Sequence, residues 1–99
     1  MKRIILLCAQ GMSTGMLMKR MRAAAAEQQY ECLIEACAVS HLERIGAADV
    51  ILLGPQVRYE LDHVRELFPD TPAAIININD YGRLDGAKVL KEAARLMKK

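Results

Sequence analysis

An unbroken apolar run, Ile4-Ile5-Leu6-Leu7, ends in Cys8 and gives way to the small and polar positions Ala9 to Gly15. A run apolar at every position, rather than at alternate ones, predicts a parallel strand buried on both faces. Helical spacing then takes over. Met16, Leu17, Met21, Ala24 and Ala25 form one stripe, with Lys19, Arg20 and Arg22 off it, which predicts a helix from Ser13 to about Gln29. The Ser13 hydroxyl is placed to cap it. Cys32 to Val39 predicts a second strand, interrupted by Glu35, and His41 to Ile45 a short helical turn after Ser40. Ala48 to Leu53 reads as a third, fully buried strand that stops at Gly54-Pro55. Val57, Leu61, Val64 and Phe68 share a stripe, predicting a helix from Gln56 to Phe68 between Pro55 and Pro69. A fourth strand is expected over Ala73 to Ile78 and a loop over Asn79-Asp80-Tyr81-Gly82. The last helix starts after Asp85, turns Val89, Leu90, Ala93, Leu96 and Met97 inward, and carries Lys98 and Lys99 at its negative end.

Strands alternating with helices predict an α/β fold: a four-stranded parallel open sheet with helices on both faces, joined by right-handed crossovers. The sequence has no internal repeat and no linker-like tract, so residues 1–99 are read as a single domain. Three loops fall at the carboxyl ends of strands: Cys8 to Gly15, Gly54 to Tyr59 and Asn79 to Gly82. Ligands of open α/β sheets bind outside those ends, so one site is expected where the three loops meet.

Composition narrows the classes of function. With 14 basic and 12 acidic residues the formal charge is +2, and no block of like charge exists. There is no tryptophan and one phenylalanine. That leaves little surface for stacking bases or tracking phosphodiesters, and no nucleic-acid partner is expected. Lys2 and Arg3 precede an apolar stretch, as in a secretion signal, but the stretch breaks into a polar glycine loop after Ala9. A membrane span needs about 20 apolar residues, and no run approaches that. A cytoplasmic chain is the expectation. Three cysteines without paired spacing suit reduced thiols better than a disulfide framework or a zinc site.

Candidate chemistry centres on Cys8, whose sulfur is expected to be exposed at the sheet tip. A thiolate at a strand's carboxyl end is a competent nucleophile. The loop after it offers backbone N–H groups and the positive end of a helix, which together favour an anion. Ala9, Gln10, Gly11, Met12, Ser13, Thr14 and Gly15 form the proposed phosphate cradle. Gly11 permits a tight backbone path, and Ser13 and Thr14 add hydroxyls. Gln56, Arg58, Tyr59, Asp80 and Tyr81, on the other two loops, are the candidate partner surface. Arg58 steers an acidic partner or neutralises phosphate, or else pairs with Asp62 at i+4, a contact worth a few tenths of a kcal/mol; the charge itself fits the pairing better, and the loop around it fits function. For Asp80 a turn-stabilising role fits best. Cys32 and Cys37, five positions apart, point to opposite faces of one strand and read as buried thiols. His41 and His63 are isolated and read as surface residues.

Three stretches together resemble the IIB component of the bacterial phosphoenolpyruvate-dependent sugar phosphotransferase system, in the lactose/cellobiose/chitobiose class. They are Ile4-to-Leu7 into Cys8 and Gly11-Met12-Ser13-Thr14, Val50-to-Tyr59, and Asp80-Tyr81-Gly82 with Asp85-Gly86. Gln10 and Gly15 depart from the small or hydroxyl residues common there. The resemblance implies a phosphatase-like phosphate loop after strand one and a phosphoryl group carried on Cys8. That group would come from a phosphohistidine of the IIA protein and pass to a sugar, such as a disaccharide β-glucoside, at the membrane-embedded IIC permease. It implies peripheral association with that permease, and no metal or organic cofactor.

A tyrosine-phosphatase loop has the form Cys-x5-Arg, and the arginine position here is Thr14. Without the guanidinium that stabilises transition-state charge, a carrier fits better than a hydrolase. A low-molecular-weight phosphatase or arsenate-reductase-like thiolate enzyme is the alternative, and a module that only binds anions is a third.

Overall fold

The computed structural model describes residues 1–9 and 14–98. The elements in chain order are β1 (Lys2–Cys8), α1 (Thr14–Glu27), β2 (Cys32–Ala38), a 3₁₀ segment (Val39–Arg44) and β3 (Val50–Leu53). A second 3₁₀ segment (Pro55–Glu60) leads into α2 (Leu61–Leu67), followed by β4 (Ala73–Ile75), α3 (Ile78–Gly82) and α4 (Gly86–Met97). The strands form one parallel sheet in the order β2-β1-β3-β4. From β1 the chain moves outward to β2 and then crosses back to β3 on the other side. The carboxyl ends of β1 and β3 therefore flank the point where the strand order reverses.

Both faces of the sheet are covered, as the unbroken apolar run requires. Ile4 and Leu6 of β1 pack with Leu17 and Met21 of α1 and Val89 and Leu90 of α4. Ile5 and Leu7, pointing the other way, pack with Leu42, Ile45, Val57 and Val64. Cys32 joins the first cluster and Cys37 the second, on opposite faces as their spacing predicts. Both are free thiols, half-buried rather than buried.

Arg3 ties down the amino end of β1. Its backbone N–H donates to Asp49 Oδ2 at 2.7 Å and its Nε to Glu35 Oε1 at 2.7 Å. Its Nη1 donates to the carbonyls of Ile45 and Ala47, at 2.5 Å each.

On the first face α4 approaches α1 closely. A Cβ at Gly86 would lie 2.4 Å from the Arg20 carbonyl carbon and 2.5 Å from the Met21 nitrogen. Glycine is what lets the start of α4 rest on the α1 backbone. Asp85 caps α4, its side chain accepting from the Lys88 N–H at 3.1 Å.

Several boundaries differ from expectation. The third strand begins at Val50, two residues late, and β4 stops at Ile75 instead of Ile78. The expected loop over Asn79 to Gly82 is the short helix α3, because Asn77 Oδ1 accepts from the Asn79 and Asp80 N–H groups and starts a turn there. The single helix expected over Gln56 to Phe68 is a 3₁₀ segment joined to α2. Val57 leaves helical geometry (φ −117°, ψ 24°), and its side chain reaches the core. The expected stripe survives, with Val57 and Val64 buried and Leu61 and Phe68 packed beside them. The turn after β2 lacks the Ser40 cap, since Ala38 holds that position. His41 and His63 are exposed, and His63 Nδ1 lies 3.0 Å from Glu60 Oε1.

Candidate functional site

Cys8 is the last residue of β1, with β2 and β3 on either side. As an even-numbered residue it turns its sulfur to the face occupied by α1. There the Thr14 hydroxyl, on the first residue of that helix, donates to Sγ at 3.7 Å, and Sγ lies 3.7 Å from the Cys37 carbonyl oxygen. Thr14 is fully buried. A sulfur facing the first turn of a 14-residue helix sits where N–H groups without intrahelical partners and the positive dipole end converge.

The sequence suggests an exposed sulfur, and that expectation is not met: Cys8 is 3% exposed. An interior strand ending beneath a helix start encloses its last side chain. The sulfur is buried with the core residues of β1 yet lies within reach of the Thr14 hydroxyl at the start of the helix that follows. Of the other expected cradle residues, Ala9 is exposed at a bend and Gly15 lies in the first turn of α1, with open space where a Cβ would stand. Gln10, Gly11, Met12 and Ser13, including the Ser13 cap, lie outside the described residues.

The two neighbouring loops meet beside Cys8. Gly54, immediately after β3, donates its N–H to the Leu7 carbonyl at 2.9 Å and so keeps β3 alongside the end of β1. A Cβ there would be 3.0 Å from Gln56 Oε1 and 3.6 Å from Tyr81 Cε1. Glycine therefore leaves room for both side chains, and Gln56 Nε2 donates to the Tyr81 hydroxyl at 3.4 Å. Two of the five partner-surface candidates are thus in contact across the loops.

Arg58 does not pair with Asp62. It lies in the 3₁₀ segment, where three residues make a turn and i+4 positions are not stacked. Its Nη1 donates instead to the Pro55 carbonyl at 2.9 Å. Tyr59 is 74% exposed. Asp80 gives its turn only backbone groups, its N–H donating to Asn77 Oδ1 and its carbonyl accepting from Asp85 N–H; its carboxylate is 3.9 Å from Lys88 Nζ, and the side chain that starts the turn is that of Asn77.

Residues missed by sequence reasoning also border this end of the sheet. Asn77 builds α3, and its signal was available as an Asn ahead of a short polar helix. Ile78 is 70% exposed, and Met16, expected on the inward stripe of α1, is 52% exposed, because the buried side of that helix runs through Thr14, Leu17, Met21, Ala24 and Ala25 instead. No pattern marks an apolar residue at a helix start as exposed.

Burial above all, and then the nearby Cys8, push the Cys37 thiol up from its ordinary 9.0, with Arg3 opposing. Among the described residues no three His, Cys, Asp or Glu side chains are placed to hold a metal ion. No helix among them is long and apolar enough to cross a membrane.

Comparison with known proteins assigns the family. Residues 3–92 match the family described as PTS system, lactose/cellobiose specific IIB subunit. The galactose-specific EIIB component of the PTS of Lactococcus lactis subsp. cremoris (strain MG1363) is 38% identical over 104 aligned positions, covering 97% of this chain and 96% of that protein. The oligo-beta-mannoside-specific EIIB component of Bacillus subtilis (strain 168) is 33% identical over 101, covering 98% and 97%. The solution structure of the cellobiose-specific IIB component from Borrelia burgdorferi superposes with a TM-score of 0.81 at 37% identity, covering 98% of this chain and 92% of that one. The lactose-specific IIB domain from Streptococcus pneumoniae shares the fold, with a TM-score of 0.82 at 19% identity and 96% of each chain covered. A parallel sheet in this order and sequence matches along nearly the whole chain place the protein in the lactose/cellobiose-specific IIB family, the phosphotransferases of the sugar phosphotransferase system.

Proposed function

We propose that this chain carries a phosphoryl group on Cys8, receiving it from a phosphohistidine of the IIA protein and delivering it to a sugar at the IIC permease. The observation that supports this most directly is the sulfur held at the first residue of α1 by the Thr14 hydroxyl, at the reversal point of the sheet. In the first step the Cys8 thiolate attacks phosphorus. An S–P bond forms, the P–N bond of phosphohistidine breaks, and the electron pair leaves on the imidazole nitrogen, which takes up a proton. In the second step a sugar hydroxyl oxygen attacks the same phosphorus. The S–P bond breaks, the pair returns to sulfur as thiolate, and the hydroxyl proton passes to a base at the sugar site.

Each feature of the site has a part in this reading. Backbone N–H groups from residue 9 to residue 15 bind the phosphoryl oxygens through charge-assisted bonds. Thr14 occupies the place of a phosphatase's arginine, and among the described residues no arginine hydrogen-bonds Cys8. The phosphoryl group is thereby kept for an acceptor and not passed to water. Because Cys8 is 3% exposed, the donor and acceptor proteins must uncover it as they dock. Gln56, Arg58, Tyr59, Asp80 and Tyr81 frame the surface they meet. The family class suits a disaccharide as the sugar, and the chain works in the cytoplasm at the face of the permease.

The test is incubation with phosphorylated IIA protein and mapping of the adduct by mass spectrometry. The phosphoryl group is expected on Cys8 alone, and Cys8→Ser is expected to abolish onward transfer to sugar. An adduct on another residue, or transfer by the serine variant at the native rate, overturns the assignment.

A further inference from the structure

On the flank of the molecule, with β3 between it and Cys8, a groove of about 670 Å³ runs between β4 and α4. Leu52, Ile76 and Val89 make its apolar base, and Ile75, 41% exposed, forms one wall. β4 is an edge strand, and its outer side is open. The Ile51 N–H donates to the Pro72 carbonyl and the Ile76 N–H to the Leu53 carbonyl, at 2.9 and 2.8 Å. Strand alternation therefore turns the N–H and C=O of Ile75, between them, away from β3. At Ala73, the other residue facing outward, the carbonyl accepts from Arg65 at 3.4 Å.

Charge gives the flank a sign. Lys88, Lys91, Arg95 and Lys98 line the α4 side, against Glu92 and Asp80. Glu92 is occupied by a forked pair with Arg95, and Asp80 lies near Lys88. Lys91 and Lys98 have no ion-pair partner among the described residues. A bare anion would satisfy the lysines and leave the apolar base and the open strand edge unused. An extended chain with apolar and acidic side chains on one face satisfies all three.

We propose that this flank takes an acidic, extended segment of a partner protein as a fifth strand beside β4. Its backbone pairs with Ile75, an apolar side chain enters the groove, and carboxylates reach Lys91 and Lys98. The contact lies to the side of the sheet end and is independent of how Cys8 reacts.

The test uses the full chain labelled with ¹⁵N and a synthetic heptapeptide. The peptide alternates threonine with glutamate, valine and glutamate. Its addition is expected to shift the amide signals of Ile75, Lys91 and Lys98, to slow hydrogen exchange at Ile75, and to leave Cys8 alkylation unchanged. The double variant Lys91→Glu, Lys98→Glu alters only exposed side chains, and an unchanged thermal melt checks its fold. It should weaken binding on the order of tenfold, since each exposed pair is worth at most about one factor of five. The proposal is overturned by no shift at millimolar peptide, or by equal binding of a peptide with lysine in place of glutamate. Undiminished binding by the double variant overturns it too. So does cosedimentation with phosphatidylserine–phosphatidylcholine vesicles that the peptide does not displace, which would make the flank a membrane contact.

Discussion

Replacing Gly86 by alanine adds one methyl group where α4 rests on α1. That methyl would begin 2.4 Å from the Arg20 carbonyl carbon, 2.5 Å from the Met21 nitrogen and 2.7 Å from Arg20 Cβ. Two of these atoms are backbone and cannot rotate away. Ordinary contact starts near 3.4 Å, so the helices must part by about 1 Å. A gap of that size forfeits a quarter to a half of the dispersion attraction between facing atoms. The atoms that lose it belong to Leu17, Met21, Val89, Leu90 and Ala93, all in the first core cluster. Overpacking of a tight site costs about 1–3 kcal/mol, and the better helix propensity of alanine returns under about 1 kcal/mol of it. A net loss of about 1–2 kcal/mol is expected. In a domain of this size each kcal/mol lowers Tm by roughly 4–8 °C, so a fall of about 4–16 °C should appear in circular dichroism melts. Gly54→Ala is the control, because its Cβ meets only the flexible Gln56 side chain under 3.4 Å, and φ is −61°. It should stay within about 1 kcal/mol of the parent. If Gly86→Ala melts within about 2 °C of the parent, the close approach of α4 to α1 is not a packing constraint and the reasoning fails.

Thr14→Val keeps the shape of a fully buried side chain but removes the hydroxyl that meets Cys8. It should lose about 1 kcal/mol of stability and slow phosphoryl acceptance about tenfold, with Thr14→Ser retaining most of the rate; native rates for the valine variant would remove Thr14 from the mechanism. Tyr30, Cys32 and Cys37 are all raised from ordinary values of 10.0, 9.0 and 9.0, chiefly by burial. Their folded values exceed the unfolded ones, so the unfolded chain ionises first, and stability present below about pH 9 should be lost as pH rises beyond it. Melts from pH 7 to 10.5 should show Tm falling above pH 9, with a shallower fall in Cys32→Ala, Cys37→Ala; a flat profile would contradict the burial argument. Gln29 ends α1 in the left-handed region at φ 54°. Gln29→Gly should therefore raise the urea midpoint by the equivalent of about 0.5–1 kcal/mol, and a lowered midpoint would refute this.

Legibility in the sequence followed the strength of the local signal. β1 from Ile4 onward and all of β3 were readable because those residues are buried on both faces and apolar at every position. The stripe through Val57, Leu61, Val64 and Phe68 identified the buried side of its segment but not the kink at Val57, since a stripe records which residues face the core and not the backbone geometry that turns them there. The early end of β4 was hidden because Ile75 to Ile78 alternates in a strand-like way, and the Asn77 cap acts only once the chain has turned. Nothing marks Leu84 as left-handed (φ 55°), a conformation normally taken by glycine or asparagine. At the site, Cys8 and Thr14 could be placed from the strand–loop–helix order alone. The depth of Cys8 could not, because it depends on β2 and β3 closing on either side. The Gln56–Tyr81 contact joins residues 25 apart and belongs to the tertiary fold.

The clamp at Arg3 acts as a ruler for the reactive end of the same strand. Ile4, Ile5, Leu6 and Leu7 are so alike that sliding β1 by one position would still fill both halves of the interior, so greasiness cannot choose the alignment. The four polar bonds of Arg3 can. Each holds only when residue 3 lies level with its partners, and by fixing that end they set where residue 8 stops. A single misstep would turn the sulfur to the opposite side of the sheet, away from Thr14.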